Sequence, residues 1–329
     1  MLDLYRRDGA ATVPADLATA SLSADVVWLD LVNPTPVEIA FAERTLGLQM
    51  PSFEDLSEIE ASSRLYIDNG ALFMSAPLVH RGNGERPEPT PVGFVLSRAH
   101  LVTVRFQPLI PFTTFAQSLG RSEISYAGSA ALFSGLIEAI VDRAADVLET
   151  IASDLDALSH RLFRVAPPAG GRHRPAREQA DLRRALQQVG RGGDVASQIR
   201  DALLGIARMV PFVAIHAADW MGAEIKSELE TIRLDVVSLS DYDAHLLNKV
   251  QLLLDATLGL INIEQNNIIK VLTIVSVVGV PPTLIASMYG MNFKTMPELD
   301  WSWGYPYALA LIFLSAVLPI VWFKLRGWF

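Results

Sequence analysis

The sequence predicts an α+β domain followed by a long stalk helix and two C-terminal membrane-spanning helices. Three observations carry that reading. Strand-like runs separated by turn signals fill residues 1–125. From residue 126 the apolar period changes from two to steps of three and four. Two stretches, Val271–Tyr289 and Tyr305–Phe323, hold no charged residue. Each is about as long as a hydrocarbon core requires, roughly 20 residues at ~1.5 Å rise.

In the first region Val26–Leu31 is a β-rich apolar run. Thr35, with Pro36 next and Glu38 three on, is a capping box with proline at the first helical position. The helix it opens is expected to end at Gly47. Pro51-Ser52 opens a second short helix, Phe53–Glu60, rich in acid. Strands are expected over Arg64–Asp68 and Ala71–Val79 around the hairpin turn Asn69-Gly70, then over Val92–Leu96 and Leu101–Phe106. The order implies one sheet with helices on one side.

The helical region 126–223 begins with an amphipathic helix from about Ala127 to Phe163, broken by Pro167-Pro168-Ala169-Gly170-Gly171. An arginine-dense segment, 172–191, follows; it reads as a solvated loop and helix start, with contact to anionic headgroups as the alternative. A further helix is expected from near Asp194 to Met209. From Glu224 to Tyr289 no proline appears until Pro281, which gives a stalk helix on the order of 100 Å that continues into the first span. Residues 290–304 form an extracytoplasmic loop, 305–323 the second span, and 324–329 a tail with Lys324 and Arg326. Two spans put both termini on one side, and the basic tail makes that side cytoplasmic.

Charge and composition narrow the function classes. The 329-residue chain has a formal charge of −9 and no cysteine. An acidic balance argues against nucleic acid, whose phosphates demand clustered Lys and Arg, and is compatible with handling cations. Disulfides and thiolate metal sites are excluded. Met1–Asp8 lacks the apolar core of a signal peptide, so the large N-terminal part is expected to stay where it is made. No phosphate-binding glycine loop, zinc-protease spacing or nucleophile–base motif appears, which argues against an enzyme.

One helix face holds the chemistry. Asp255, Leu258, Asn262, Asn266, Ile269, Thr273, Ser276, Val280, Thr283 and Ser287 follow at steps of three or four, the spacing of a single side. Small residues and hydroxyls on a span serve helix packing or line a pore. The same polar face continues into the aqueous stalk at Asn266, Asn262 and Asp255, which packing in lipid does not explain and a water-filled path does. Two spans cannot enclose a conduit alone, so the reading requires an oligomer.

Tyr289-Gly290-Met291-Asn292, then Met296-Pro297-Glu298-Leu299 and Trp301-Ser302-Trp303-Gly304, resemble the signature of the CorA family of divalent-cation channels. The likeness runs back through Asn266 and Asp255. It implies a funnel-shaped homopentamer in the inner membrane, with the first span of each copy lining the pore. It also implies Mg²⁺ as transported and regulatory ion, with Co²⁺ and Ni²⁺ passing too. Asn292 of Gly290-Met291-Asn292 would hold a hydrated ion at the mouth, and Mg²⁺ is best held through its waters. Thr283, Asn266 and Asp255 match polar pore positions. Leu272 matches a hydrophobic constriction, and Val280 stands where the family often has methionine. By the same resemblance Glu54 and Asp55 are candidates for a regulatory metal site. Its stalk partner is represented by Thr231, with Asp235 and Asp241 nearby. Zinc transport with possible proton coupling, as in the ZntB branch, is the sibling reading.

Overall fold

The backbone alternates between two side-chain periods, and the fold follows from where it switches. The computed structural model describes residues 1–7, 9–12, 17–58, 60–80, 87–119, 128–163, 175–292, 296–298 and 300–328. The described residues form two units, 1–169 with 186–254, and 170–185 with 255–329.

The first unit is built on a mixed sheet. Its strands are β1 (Leu2–Arg6), β2 (Ala11–Thr12), β3 (Val26–Val32), β4 (Leu65–Asp68), β5 (Ala71–His80), β6 (Glu88–Leu96) and β7 (Leu101–Arg105), in the order β2-β1-β3-β7-β6-β5-β4. Only β3 and β7 pair in parallel among these; the other pairings are antiparallel. The β4–β5 hairpin turns at Asn69 (φ 47°) and Gly70 (φ 75°), two left-handed residues that match the twist of the flanking strands.

Helices cover both faces of this sheet, not one as expected. Leu29, Leu31, Phe73, Val95, Val102 and Val104 form one face. Packed on them are Phe41 and Ala42 of α1 (Pro36–Leu46) and Leu56 of α2 (Phe53–Ser57). The alternate residues Trp28 and Phe94 face the other way, against Phe112 and Phe115 of α4 (Ile110–Leu119) and Phe133 of α5 (Ser129–Leu162). The reason lies in β3 itself: Val26 to Leu31 are all buried, as happens in a strand covered on both sides.

On that second face sits a buried polar network. Asp30 accepts from the Thr103 hydroxyl at 2.7 Å and from Arg105 through Nε (3.2 Å) and Nη2 (2.7 Å). Trp28 Nε1 donates to Thr103 Oγ1 at 3.0 Å, and Arg105 lies 4.8 Å from the Phe112 ring. The network ties β3 to β7 across the parallel pairing.

α1 starts and stops as the sequence predicts: Thr35 and Glu38 form the capping box and Gly47 takes φ 68°. The acidic helix is shorter than expected. Glu58 leaves α2 with extended backbone, and Glu60 opens a separate turn, α3 (Ala61–Arg64). Strands β1 and β2 and helix α4 lay outside the sequence reading altogether.

α6 runs Pro175–His216, starting earlier and ending later than expected and passing through Pro211. Much of the arginine-dense segment is therefore helical; residues 172–174 lie outside the described residues. α7 runs Ala223–Tyr289 and α8 Gly304–Leu325. Within the first unit α5, α6 and α7 bury Leu148, Ile151 and Leu155, Val189, Ile199 and Leu203, and Ile232, Val236 and Val250. Gly205 of α6 meets β5 so closely that a Cβ there would come within 2.7 Å of Ala76 Cβ.

In the second unit α7 and α8 are both long and apolar enough to cross a membrane.

Candidate ion pathway and regulatory carboxylates

Two sides of α7 separate over its apolar part. Ile274, Val278, Pro281, Pro282, Ile285 and Tyr289 are half-buried. On α8 Gly304 and Phe323 are buried, and Ala308, Leu311, Ile312, Ser315, Ala316, Val317 and Pro319 are half-buried. Most of these residues recur at steps of three and four, the spacing of faces that two helices turn to each other. At one end Lys270 Nζ lies 5.4 Å from the Trp328 ring, which ties α7 to the tail of α8.

The polar stripe lies on the other side of α7. Asp255, Asn262, Asn266, Ser276, Val280 and Thr283 are exposed, and Thr273 is half-buried. At ~100° per residue they lie roughly opposite the α8-facing side. Leu272 is 65 % and Val280 60 % exposed. The hydroxyl of Thr273 donates to the Ile269 carbonyl at 2.8 Å, and that of Thr283 to the Val280 carbonyl at 2.8 Å. Each threonine thereby spends its proton on the helix and presents oxygen lone pairs outward. Pro281 and Pro282 bring no N–H, so the carbonyls of Val277 and Val278 lose their helical donor.

α7 ends at Tyr289, directly before Gly290-Met291-Asn292. The Gly290 amide donates to the Ala286 carbonyl at 3.0 Å, and Met291 to Met288 at 3.3 Å. A Cβ on Gly290 would sit 3.2 Å from the Ala286 oxygen, so glycine lets the last turn close tightly. Met291 and Asn292 follow as exposed residues beyond the helix. Residues 293–295 and Leu299 lie outside the described residues. Gly304 closes onto the loop: a Cβ there would strike the Glu298 carbonyl, and its amide donates to Trp301 at 2.9 Å.

The carboxylates named from the resemblance lie on two elements, Glu54 and Asp55 on α2 and Asp235 and Asp241 on α7. Asp55 accepts from the Ser52 amide (2.8 Å) and hydroxyl (2.7 Å) as the N3 partner of a capping box. The Ser52 backbone and side-chain bonds hold its pKa below the ordinary carboxylate value. Asp55 is thus ionised and aimed by local structure, with Glu54 exposed beside it. Asp235 and Asp241 are exposed on α7.

Asp235 has company that the sequence reading missed. Burial first, then Asp142, Glu228 and Asp235 in that order, raises the pKa of Glu138. Glu138 and Asp142 are one turn apart on α5, and Glu228 and Asp235 are seven apart on α7, so the spacing signal existed within each helix. What it lacked was the pairing of the two helices. Among the described residues no group of three or more His, Asp or Glu within the chain is disposed to hold a metal ion.

The comparisons with known proteins bear on this geometry. The model of the CorA-like Mg²⁺ transporter protein family matches residues 23–325. The chain belongs to the CorA-like Mg²⁺ transporter family. That is a family of transporters, in keeping with a chain that is not an enzyme. The magnesium transport protein CorA of Salmonella typhimurium is 33 % identical over 329 residues, covering all of both chains. The complete structure of the CorA magnesium transporter from Methanocaldococcus jannaschii superposes with a TM-score of 0.71 at 17 % identity over 94 % of each chain. The ZntB cytoplasmic domain from Vibrio parahaemolyticus gives 0.53 at 12 % identity, covering 79 % of this chain and 97 % of that one. Those two structural likenesses show a shared fold alone.

Proposed function

We propose that the chain conducts Mg²⁺ across the inner membrane as a homopentamer, with both termini cytoplasmic. The observation that carries the reading is the polar stripe of α7, exposed and turned away from α8. An uncovered row of hydroxyl oxygens in an apolar span, continued by Asn266, Asn262 and Asp255 ahead of it, can face lipid, the packed helix of another copy or a lumen. Lipid offers it no partners. Copies of α7 that turn these rows toward a common axis make a wet path, with α8 outside.

In this arrangement Asn292, beside Gly290 and Met291, holds the ion through its waters at the outer mouth, as suits a cation that dehydrates reluctantly. Thr283, Ser276 and Thr273 continue the path, and Asn266, Asn262 and Asp255 extend it below the membrane. Leu272 and Val280 narrow it with apolar rings that close by dewetting. Asp55, with Glu54, faces Asp235 or Asp241 of the next copy. Mg²⁺ bridging them favours the closed state, and their mutual repulsion without metal favours opening.

Co²⁺ and Ni²⁺ pass by the same hydrated route. The zinc reading has no observation of its own in favour. Flux of Mg²⁺ against Zn²⁺ into liposomes, with and without a pH gradient, separates the two. Asn292→Ala abolishes Mg²⁺ flux on this proposal; flux at the wild-type rate would refute it.

A further inference from the structure

The Lys270 end of the second unit carries three cations close to one level. Lys270 stands one residue before the charge-free stretch of α7, and Lys324 and Arg326 follow that of α8. Two of them are held in place by aromatic rings. Lys270 Nζ is 5.4 Å from the Trp328 centroid, and Arg326 Cζ is 5.3 Å from that of Trp322.

The fold builds this platform. Gly327 takes φ 69° after the last turn of α8. Its amide donates to the Lys324 carbonyl at 3.1 Å, and the Trp328 amide to the Phe323 carbonyl at 3.0 Å. That pair of bonds is a Schellman closure, and glycine is the residue that adopts it without strain. It folds Trp328 back so that its ring lies 5.0 Å from that of Phe323, which lies 5.1 Å from Trp322. Phe323 is only 2 % exposed.

None of the three cations forms a salt bridge among the described residues. The nearest acid along α7 is Glu264, six residues back, about 9 Å along the helix. The charges directly adjoin exposed apolar surface at Val271 (62 %) and Leu325 (83 %).

We propose that this end of the hairpin is a docking surface for an anionic phospholipid of the phosphatidylglycerol class. Its phosphate meets Lys270, Lys324 and Arg326, and its acyl chains lie along the neighbouring apolar surface. Tryptophan at this depth suits the headgroup boundary. The adjoining apolar surface favours a lipid over free phosphate. The inference rests on the two helices spanning a bilayer and not on which ion the chain conducts.

The test uses the full chain in neutral detergent, titrated with phosphatidylglycerol, phosphatidylcholine or inorganic phosphate. Thermal midpoint and retained lipid by native mass spectrometry are read together. Phosphatidylglycerol raises the midpoint and stays bound, and the other two do not. The Lys270→Gln/Lys324→Gln/Arg326→Gln variant loses the difference, and Lys324→Gln alone weakens retention about fivefold, the factor for ~1 kcal/mol per cation near an anionic surface. Equal stabilisation by phosphatidylcholine or phosphate, or undiminished retention in Lys324→Gln, overturns the proposal. Mg²⁺ flux into phosphatidylcholine liposomes is measured alongside. Loss of flux with lipid preference intact counts against the conduction reading alone.

Discussion

Removing the Asp30 carboxylate is the sharpest perturbation available in the first unit. Asp30→Ala deletes the acceptor for Thr103 and for two nitrogens of Arg105. It strands a guanidinium whose side chain is 7 % exposed. Breaking a buried pair from one side costs about 3–5 kcal/mol, since the remaining charge is neither solvated nor matched. The Gln107 carbonyl at 3.1 Å and the Phe112 ring still hold Arg105, which places the expectation at the lower end. For a unit of about 240 residues, the entropy of unfolding near the midpoint is roughly 0.5 kcal/mol/K, so a cost of about 3 kcal/mol lowers the midpoint by about 6 °C. Circular dichroism of the full chain in detergent reads this. The double variant Asp30→Leu/Arg105→Met removes both charges and recovers most of the loss. A drop under about 2 °C for Asp30→Ala, or a double variant worse than either single, would refute the assignment of a buried, mutually dependent pair.

Other perturbations test particular contacts. Gly205→Val drives a branched side chain into the Cβ and backbone of Ala76 and costs about 1–3 kcal/mol by overpacking, read as a lower denaturation midpoint. Ser52→Ala removes the cap of α2, costing about 1 kcal/mol, and lets the depressed pKa of Asp55 rise toward its ordinary value. A depressed carboxylate stabilises the fold above its unfolded pKa and loses that contribution as pH falls through the folded one, so the variant is less sensitive to acid in that window. Glu138 is the opposite case. Its raised pKa means the folded chain holds the proton more tightly, so stability falls as pH rises from ~4.5 upward. Glu138→Gln therefore raises the thermal midpoint at pH ~7 and leaves it unchanged below pH ~4; an equal gain at both would refute the electrostatic cause.

Local signals in the sequence translated directly into structure. The Thr35–Glu38 box, Gly47 and the Asn69-Gly70 turn each need only a few neighbouring residues, and each forms as read. Long periodic helices were equally legible, because α5 and α7 repeat their apolar step over many turns. What escaped reading depends on distant partners. β1 is five residues long, and its Leu2 and Leu4 acquire meaning only against Leu31 and Leu29 of β3. α4 has Phe112, Phe115 and Leu119 at steps of three and four, a signal that was present and passed over. The two-sided burial of β3 was likewise visible in its unbroken apolar run. For the site, the stripe on α7 could be read from spacing, but the α8-facing side could not, and neither could the acids of α5 beside Asp235.

That division of α7 is what distinguishes packing from conduction in a span of small polar residues. If Ser276 and Thr283 served the contact with α8, they would share its half-buried side with Val278 and Ile285. Instead bulky aliphatics and prolines meet α8, and the hydroxyls lie across the helix from them. Two threonines satisfy their own protons on backbone carbonyls, so what they show outward is acceptor oxygen, the polarity a hydrated cation's waters seek. A stripe needed for one lipid-embedded contact would also stop at the bilayer edge. This one continues through Asn266, Asn262 and Asp255, exposed on α7 ahead of the charge-free stretch, as the proposed water-filled path requires.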